Sequence, residues 1–323
     1  MRSMIFHLGI LMLVLTEFIH VANGVKVALC FIGLTRSLQY TLQNIRSNVM
    51  DPITEMGYEY DVFLHSYNMS YVTNPSTGEN AAKMQWEKYN LLQPKLFQID
   101  DVTVINDQLF NGNDDLSDYY KFDGHSGWYE LFQEAGPHWG VGQENLTVMN
   151  MIKQLWSAKH CTQMWTVQRK RFDAVIYLRS DVWFFNPLNA SILAALEPDT
   201  LYLPDWGDNT GLHDRIAIGT PEVMVKYGSR FDILKEFCKG NRIHSEIFVQ
   251  WTVSYHKMKV DRISLHFERV RANGSLMACC EAGSSPCPCR AYDGNCGTSK
   301  LKKYTFVQSL LNYYELQDIP DSQ

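Results

Sequence analysis

Residues 171–188 read RFDAVIYLRSDVWFFNPL, and this stretch decides the fold. Ala174 to Leu178 is a short apolar run rich in β-formers, with the length and composition of a buried strand. It ends on Arg179-Ser180-Asp181, a charged break. Val182 to Phe185 are apolar again, and Asn186-Pro187 closes the unit with a turn signal. An open α/β sheet takes its ligands outside the carboxyl ends of its strands, so an acid at that point is placed to meet one. Asp181 there suits a divalent cation or a ribose hydroxyl, and Arg179 suits holding it or facing a phosphate. An ion pair at a strand end is the alternative.

The flanks give the same architecture. Upstream, residues 145–171 form the clearest helical pattern. Met149, Ile152, Leu155, Trp156, Met164 and Trp165 make an apolar stripe, while Lys153, Lys159, Arg169 and Lys170 are expected to face out. Further upstream, residues 25–32, VKVALCFI, read as a strand buried on both faces. The run breaks at Gly33-Leu34-Thr35-Arg36-Ser37, and a helix is expected through Leu38, Leu42, Ile45 and Val49, stopping before Pro52. Such a turn offers N–H groups and a cation at a helix N-terminus, which suits phosphate. A plain turn with a solvated Arg36 is the alternative. The right-handed crossover rule puts both strands in one sheet.

Residues 60–67, YDVFLHSY, read as a second strand with His65 at its ligand edge. Residues 68–80 read as a loop and 96–99 as a short strand. Residues 100–142 read as an irregular insertion covering the site. Downstream, 200–203 and 216–219 read as strands, with Asp208 and Asp214 in the loop between them. Residues 221–238 and 245–256 read as helices. Glu246 lies in the first turn of the second, where an acid also favours the helix dipole. Residues 260–267 read as a last strand, with His266 near its end.

The chain has 323 residues and a formal net charge of −6, so no basic footprint argues for nucleic acid. Residues 1–24 read as a signal peptide, from Arg2, the apolar run 4–15 and the small residues Ala22 and Gly24. A retained signal-anchor is the alternative, and a membrane is a partner only in that case. Residues 25–323 then make one domain in the secretory pathway. Sequons at Asn68, Asn145, Asn189 and Asn273 agree with that address. Of eight cysteines, five lie at Cys279, Cys280, Cys287, Cys289 and Cys296. Their spacing lacks the paired hooks of a zinc ribbon, so the segment 279–296 reads as disulfide-linked in an oxidising lumen. Five is odd, so at least one must pair outside the cluster or stay free. Cys30, Cys161 and Cys238 are the candidates for such a pairing.

In order, CFIGLTRS (30–37), YDVFLHSY (60–67), YLRSDVWFFNPL (177–188), LPDWGDNTGLHDRIAIGTPEVMVKYGSRFD (203–232) and SEIFVQWTVSYHKMKV (245–260) resemble the GT-A nucleotide-sugar glycosyltransferases. The resemblance implies an α/β, Rossmann-type three-layer sandwich with a mostly parallel central sheet, here followed by a Cys-rich C-terminal extension. It implies transfer of a sugar from a nucleotide-sugar donor to a hydroxyl of a glycan or glycoprotein, in the Golgi or ER lumen or outside the cell. In that family an Asp-x-Asp motif holds Mn2+ or Mg2+ on the diphosphate. Here the place reads Ser180-Asp181-Val182, with the second acid missing. By resemblance Gly33, Thr35, Arg36 and Arg179 meet the nucleotide, Asp181 the metal or ribose, and His266 the metal. His65, Asp208 and Asp214 lie by the sugar or acceptor, Asp214 among the catalytic acids, and Glu246 is the general base. Replacing Asp181 is then expected to abolish binding and spare the fold. A secreted, inactive carbohydrate-binding or structural protein on the same fold is the other reading, and the incomplete acid pair favours it.

Overall fold

The computed structural model describes residues 24–74, 79–110, 144–168, 171–208, 210–239, 241 and 243–276. The signal segment, the Cys-rich stretch 279–296 and most of the expected 100–142 insertion lie outside the described residues.

A seven-stranded sheet organises the chain. Its strands are β1 (Lys26–Ile32), β2 (Glu59–Tyr67), β5 (Leu96–Asp100), β6 (Ala174–Arg179), β8 (Thr200–Pro204), β9 (Ile216–Gly219) and β10 (Lys259–Ile263), in the order β5-β2-β1-β6-β9-β8-β10. Six run parallel, and β9 alone is antiparallel to its neighbours β6 and β8. Two small ribbons flank it: β3 (Tyr71–Asn74) with β4 (Glu79–Lys83), and β7 (Val182–Phe184) with β11 (Phe267–Arg269), both antiparallel.

The unbroken apolar run in β1 has a simple cause: the strand is covered twice. Val27, Leu29 and Phe31 pack with Leu38 and Ile45 of helix α1 (Leu38–Ile45) and with Ile53 of α2 (Asp51–Glu55). Ala28, Cys30 and Ile32 face the other way. They pack with Ala158, Cys161 and Trp165 of the long helix (Glu144–Thr166), here α4, since α3 is Val102–Phe110. Both Cys30 and Cys161 are sealed in this core as free thiols; Cys238 is a half-buried free thiol.

Several boundaries depart from expectation. The first helix does not stop before Pro52. One wide π-turn at Arg46–Met50 resets the register, and Pro52 falls in the opening turn of α2, where no N–H is required. Residues 68–80 are not simply a loop, because Tyr71–Asn74 and Glu79–Lys83 pair as a hairpin. The stretch after Asp100 begins with a helix, α3. The expected helix 221–238 is broken at Gly228 and Ser229 into α5 (Pro221–Gly228), a tight 3-10 turn and α6 (Leu234–Cys238); α7 is Ser245–Tyr255. The expected last strand is two strands in different sheets, β10 and β11. Among the described residues no helix is long and apolar enough to cross a membrane.

Candidate functional site

Strand order reverses between β1 and β6. From β1 the chain steps through β2 to β5, then returns in α4 to place β6 on the opposite side of β1. Such a reversal opens a crevice outside the carboxyl ends of the two strands. Those ends carry residues 33–37 and 179–181.

Local bonds lock the two ends together. Gly33 adopts φ +85°, a conformation that suits glycine, and its N–H donates to Ser157 Oγ at 2.8 Å. Thr35 Oγ1 donates to the Trp86 carbonyl at 3.3 Å. Ser180 Oγ donates to the Leu34 carbonyl at 2.9 Å, and Thr41 Oγ1 to the Ser180 carbonyl at 2.6 Å. The Gly33 N–H and the Thr35 hydroxyl, expected to meet a nucleotide, are thus engaged inside the protein.

Arg36 turns inward and is buried. Its Nε and Nη2 donate to Asp181 Oδ2 at 2.9 and 2.5 Å, and its Nη1 to Glu79 Oε2 at 2.9 Å. Arg179 grips the same carboxylate from the other side, Nε to Oδ1 and Nη2 to Oδ2, both at 2.7 Å. Its Nη1 reaches Gln154 Oε1 at 2.6 Å. Asp181 is 1% exposed and accepts four guanidinium N–H groups, about the full lone-pair capacity of a carboxylate. Arg271 approaches Glu79 at 3.5 Å, and Ala272 N–H donates to it at 3.1 Å.

The field here is positive. Burial works to raise the Asp181 carboxyl, but Arg179 and Arg36 overcome it and hold the group well below the carboxylate range. Asp214 is lowered likewise, against its burial, by Arg215, His213 and Arg179. Bases fall too. Burial and then Arg215, Arg271 and Arg179 bring Arg269 down to about 9, and burial with Arg36 brings Arg271 to about 10. Against its burial, Asp181 holds Arg179 well above its ordinary value, so the positive field is felt at Arg269 and Arg271 rather than at the Arg179–Asp181 pair itself.

A second group borders it. His213 is fully buried, accepts the Arg215 N–H on Nδ1 at 3.2 Å and so carries its proton on Nε2. Burial and the Arg215 charge keep it neutral, down to about 3. Asp214 Oδ1 is buried without a hydrogen-bond donor, and Arg215 Nε stands 3.9 Å from it. Glu246, at the start of α7, accepts from Ser245 Oγ at 2.5 Å and lies 3.2 Å from His244 Nδ1 and 3.7 Å from Arg215. The main chain of Glu246 is also the seat of the preceding loop: Leu212 N–H donates to its carbonyl at 2.9 Å.

No family model and no curated protein matches the chain.

The remaining expected residues lie apart. Asp208 pairs with Arg262 of β10 and accepts the His213 N–H at 3.0 Å, so it ties down its own loop. His65 is sealed beneath α4, where Nε2 lies 3.0 Å from Asp100 and its ring stacks on His160 at 5.1 Å. His266 lies 3.5 Å from Asp205. Val270 N–H donates to Asp181 O, and Phe185 N–H to His266 O, which puts Asp181 and His266 at opposite ends of the β7–β11 ribbon. Four extended residues separate them, roughly 13 Å.

Mn2+ or Mg2+ does not fit these residues. Both Asp181 oxygens already face guanidinium, and the surrounding field is positive. Among the described residues no group of three or more His, Cys, Asp or Glu side chains gathers to hold a metal ion. Sequence reasoning missed Glu79, Gln154, Arg269 and Arg271. Glu79 was hidden in a presumed loop, and both arginines lie beyond the expected last strand 260–267.

Proposed function

We propose that the protein is a glycosyltransferase-like enzyme of the secretory pathway. It takes a nucleotide-sugar donor and passes the sugar to a hydroxyl of a glycan or glycoprotein, on a GT-A-like sandwich. The observation that carries this reading is geometric: Arg36, Arg179 and Arg271 gather around Asp181 and Glu79 at the carboxyl ends of β1 and β6. A positive, preorganised field there suits the negative charge that builds on a diphosphate as its bond to the sugar breaks. The arginines stand where the resemblance implied a metal, and no step is assigned to Mn2+ or Mg2+. Asp214, with one carboxylate oxygen lacking a donor, suits a sugar or acceptor hydroxyl. Glu246, one helix start away, is the general base of this reading.

One observation favours a second reading. Asp181 is saturated by Arg36 and Arg179, which also suits a binding or structural protein that keeps the fold without transfer. A thermal-shift titration of the secreted chain with UDP, GDP and CMP, with and without Mn2+, separates the two. Stabilisation by one nucleotide, unchanged by Mn2+ or EDTA, is the expected result. No stabilisation by any of them sinks the transferase reading.

A further inference from the structure

The helical pattern places Lys153 on the outer face of α4, yet it is only 7% exposed. The direction of α4 explains where it sits. Ser157 meets Gly33 just past the carboxyl end of β1, whereas Asp173, after the helix, donates its N–H to Lys26 O at the amino end. The helix therefore runs against the strand, and residues before Ser157 stand beyond the carboxyl edge of the sheet. Lys153 lies one turn before Ser157, about 6 Å further out. Its carbonyl accepts from the hydroxyl of Tyr67, the last residue of β2, at 2.6 Å. Its neighbour Gln154 holds Arg179. Lys153 thus stands over the ends of β1 and β2, beside the crevice between β1 and β6 that its neighbour Gln154 borders.

Its ammonium makes no hydrogen bond or ion pair with any described residue. That sets it apart from Arg36 and Arg179, whose donors are committed to Asp181, Glu79 and Gln154. Its stem is covered, but the ammonium is not among the buried atoms that lack a partner, so its three donors stay open to a ligand. Burial alone lowers its pKa to about 8, so it stays mostly charged at neutral pH.

We propose that Lys153 is a ligand-binding residue that donates directly to a phosphoryl oxygen of the molecule in the crevice, while the arginine–carboxylate knot behind it sets the field. This rests on the crevice being the anion site of the proposed function, and it assigns the contact to a residue outside the matching motifs. Phosphoryl is favoured over carboxylate because the neighbouring field is the work of several arginines, which suits a multiply charged anion.

The test is calorimetric titration of the full secreted chain and its Lys153→Met and Lys153→Arg variants with inorganic pyrophosphate and with UDP. Melting curves for all three check folding, and methionine fills the same covered space without a charge. Expected is a Lys153→Met variant that melts with the parent or above it and binds pyrophosphate roughly tenfold to a hundredfold more weakly, the loss of one charge-assisted hydrogen bond. Lys153→Arg recovers most of that affinity. Equal pyrophosphate affinity in parent and Lys153→Met overturns the assignment, and leaves the transferase reading standing if UDP still binds. Lys153-dependent pyrophosphate binding without any nucleotide binding supports the assignment and removes the transferase reading. A parent that binds neither probe overturns both.

Discussion

Asp181→Ala removes the acid on which Arg36 and Arg179 converge. Arg179 keeps Gln154 and Arg36 keeps Glu79, but four charge-assisted hydrogen bonds vanish from a site that is 1% exposed. Removing one partner of a buried ion pair costs about 3–5 kcal/mol, most of it the burden of the charge left behind. For a domain of this size that is a fall in Tm on the order of 10 °C. The expectation from sequence, a variant that loses binding and keeps its stability, therefore gives way to one that loses both. Urea denaturation reads the effect as a lower midpoint at unchanged m. The pH dependence carries the same signature. A carboxyl held low in the folded state stabilises it above the unfolded value, and that stability is lost as pH falls below about 4 towards the folded value. The variant should lose less stability than the parent on acidification through this range. Arg36→Met in the Asp181→Ala background should restore part of the loss, because an uncompensated charge leaves with it. An Asp181→Ala protein within about 0.5 kcal/mol of the parent would refute the reasoning, since that is the scale of an ordinary surface change.

Two further predictions follow from the second group. His213 is neutral in the fold down to about 3, so below its unfolded value of about 6.5 the unfolded chain binds a proton that the native one does not, and stability falls as pH drops across that window. His213→Phe should flatten the stability–pH curve between about 6.5 and 3 relative to the parent; parallel curves would count against it. Gly211→Ala puts a Cβ 2.2 Å from the Glu246 carbonyl carbon, so the loop and the start of α7 must part. A loss of about 1–3 kcal/mol is expected, read by melting, together with weaker binding of any ligand that needs Asp214 and Glu246 side by side.

The central strands were legible because their chemistry is extreme. VKVALCFI and AVIYL admit water on neither face, and the helix between them has an unmistakable apolar stripe. That was enough to put both strands in one sheet with charged residues at its edge; their direct parallel pairing was not legible. The partners of those charges were not legible. Glu79 reaches Arg36 from a hairpin 43 residues away, and Arg271 reaches Glu79 across 192 residues. No local period encodes such meetings. Lys153 misled for the opposite reason: it was assigned to the polar face, but it stands one turn before Ser157 and two before Cys161, on the row that faces the sheet.

The pairing of β1 with β6 also bears on how the chain is made. Lys26 and Asp173, which bracket that pair, are 147 residues apart. At 5–20 residues per second a ribosome needs roughly 7–30 s to deliver the second strand after the first. Throughout that interval one edge of the most apolar strand in the protein has β2 on one side and nothing on the other, a template for pairing with a neighbouring chain. Successful production should therefore depend on fast delivery of residues 174–179 or on a chaperone that shields residues 26–32. Variants that weaken α4 should appear first as aggregates in the producing cell, before any loss of stability is measurable in the purified protein.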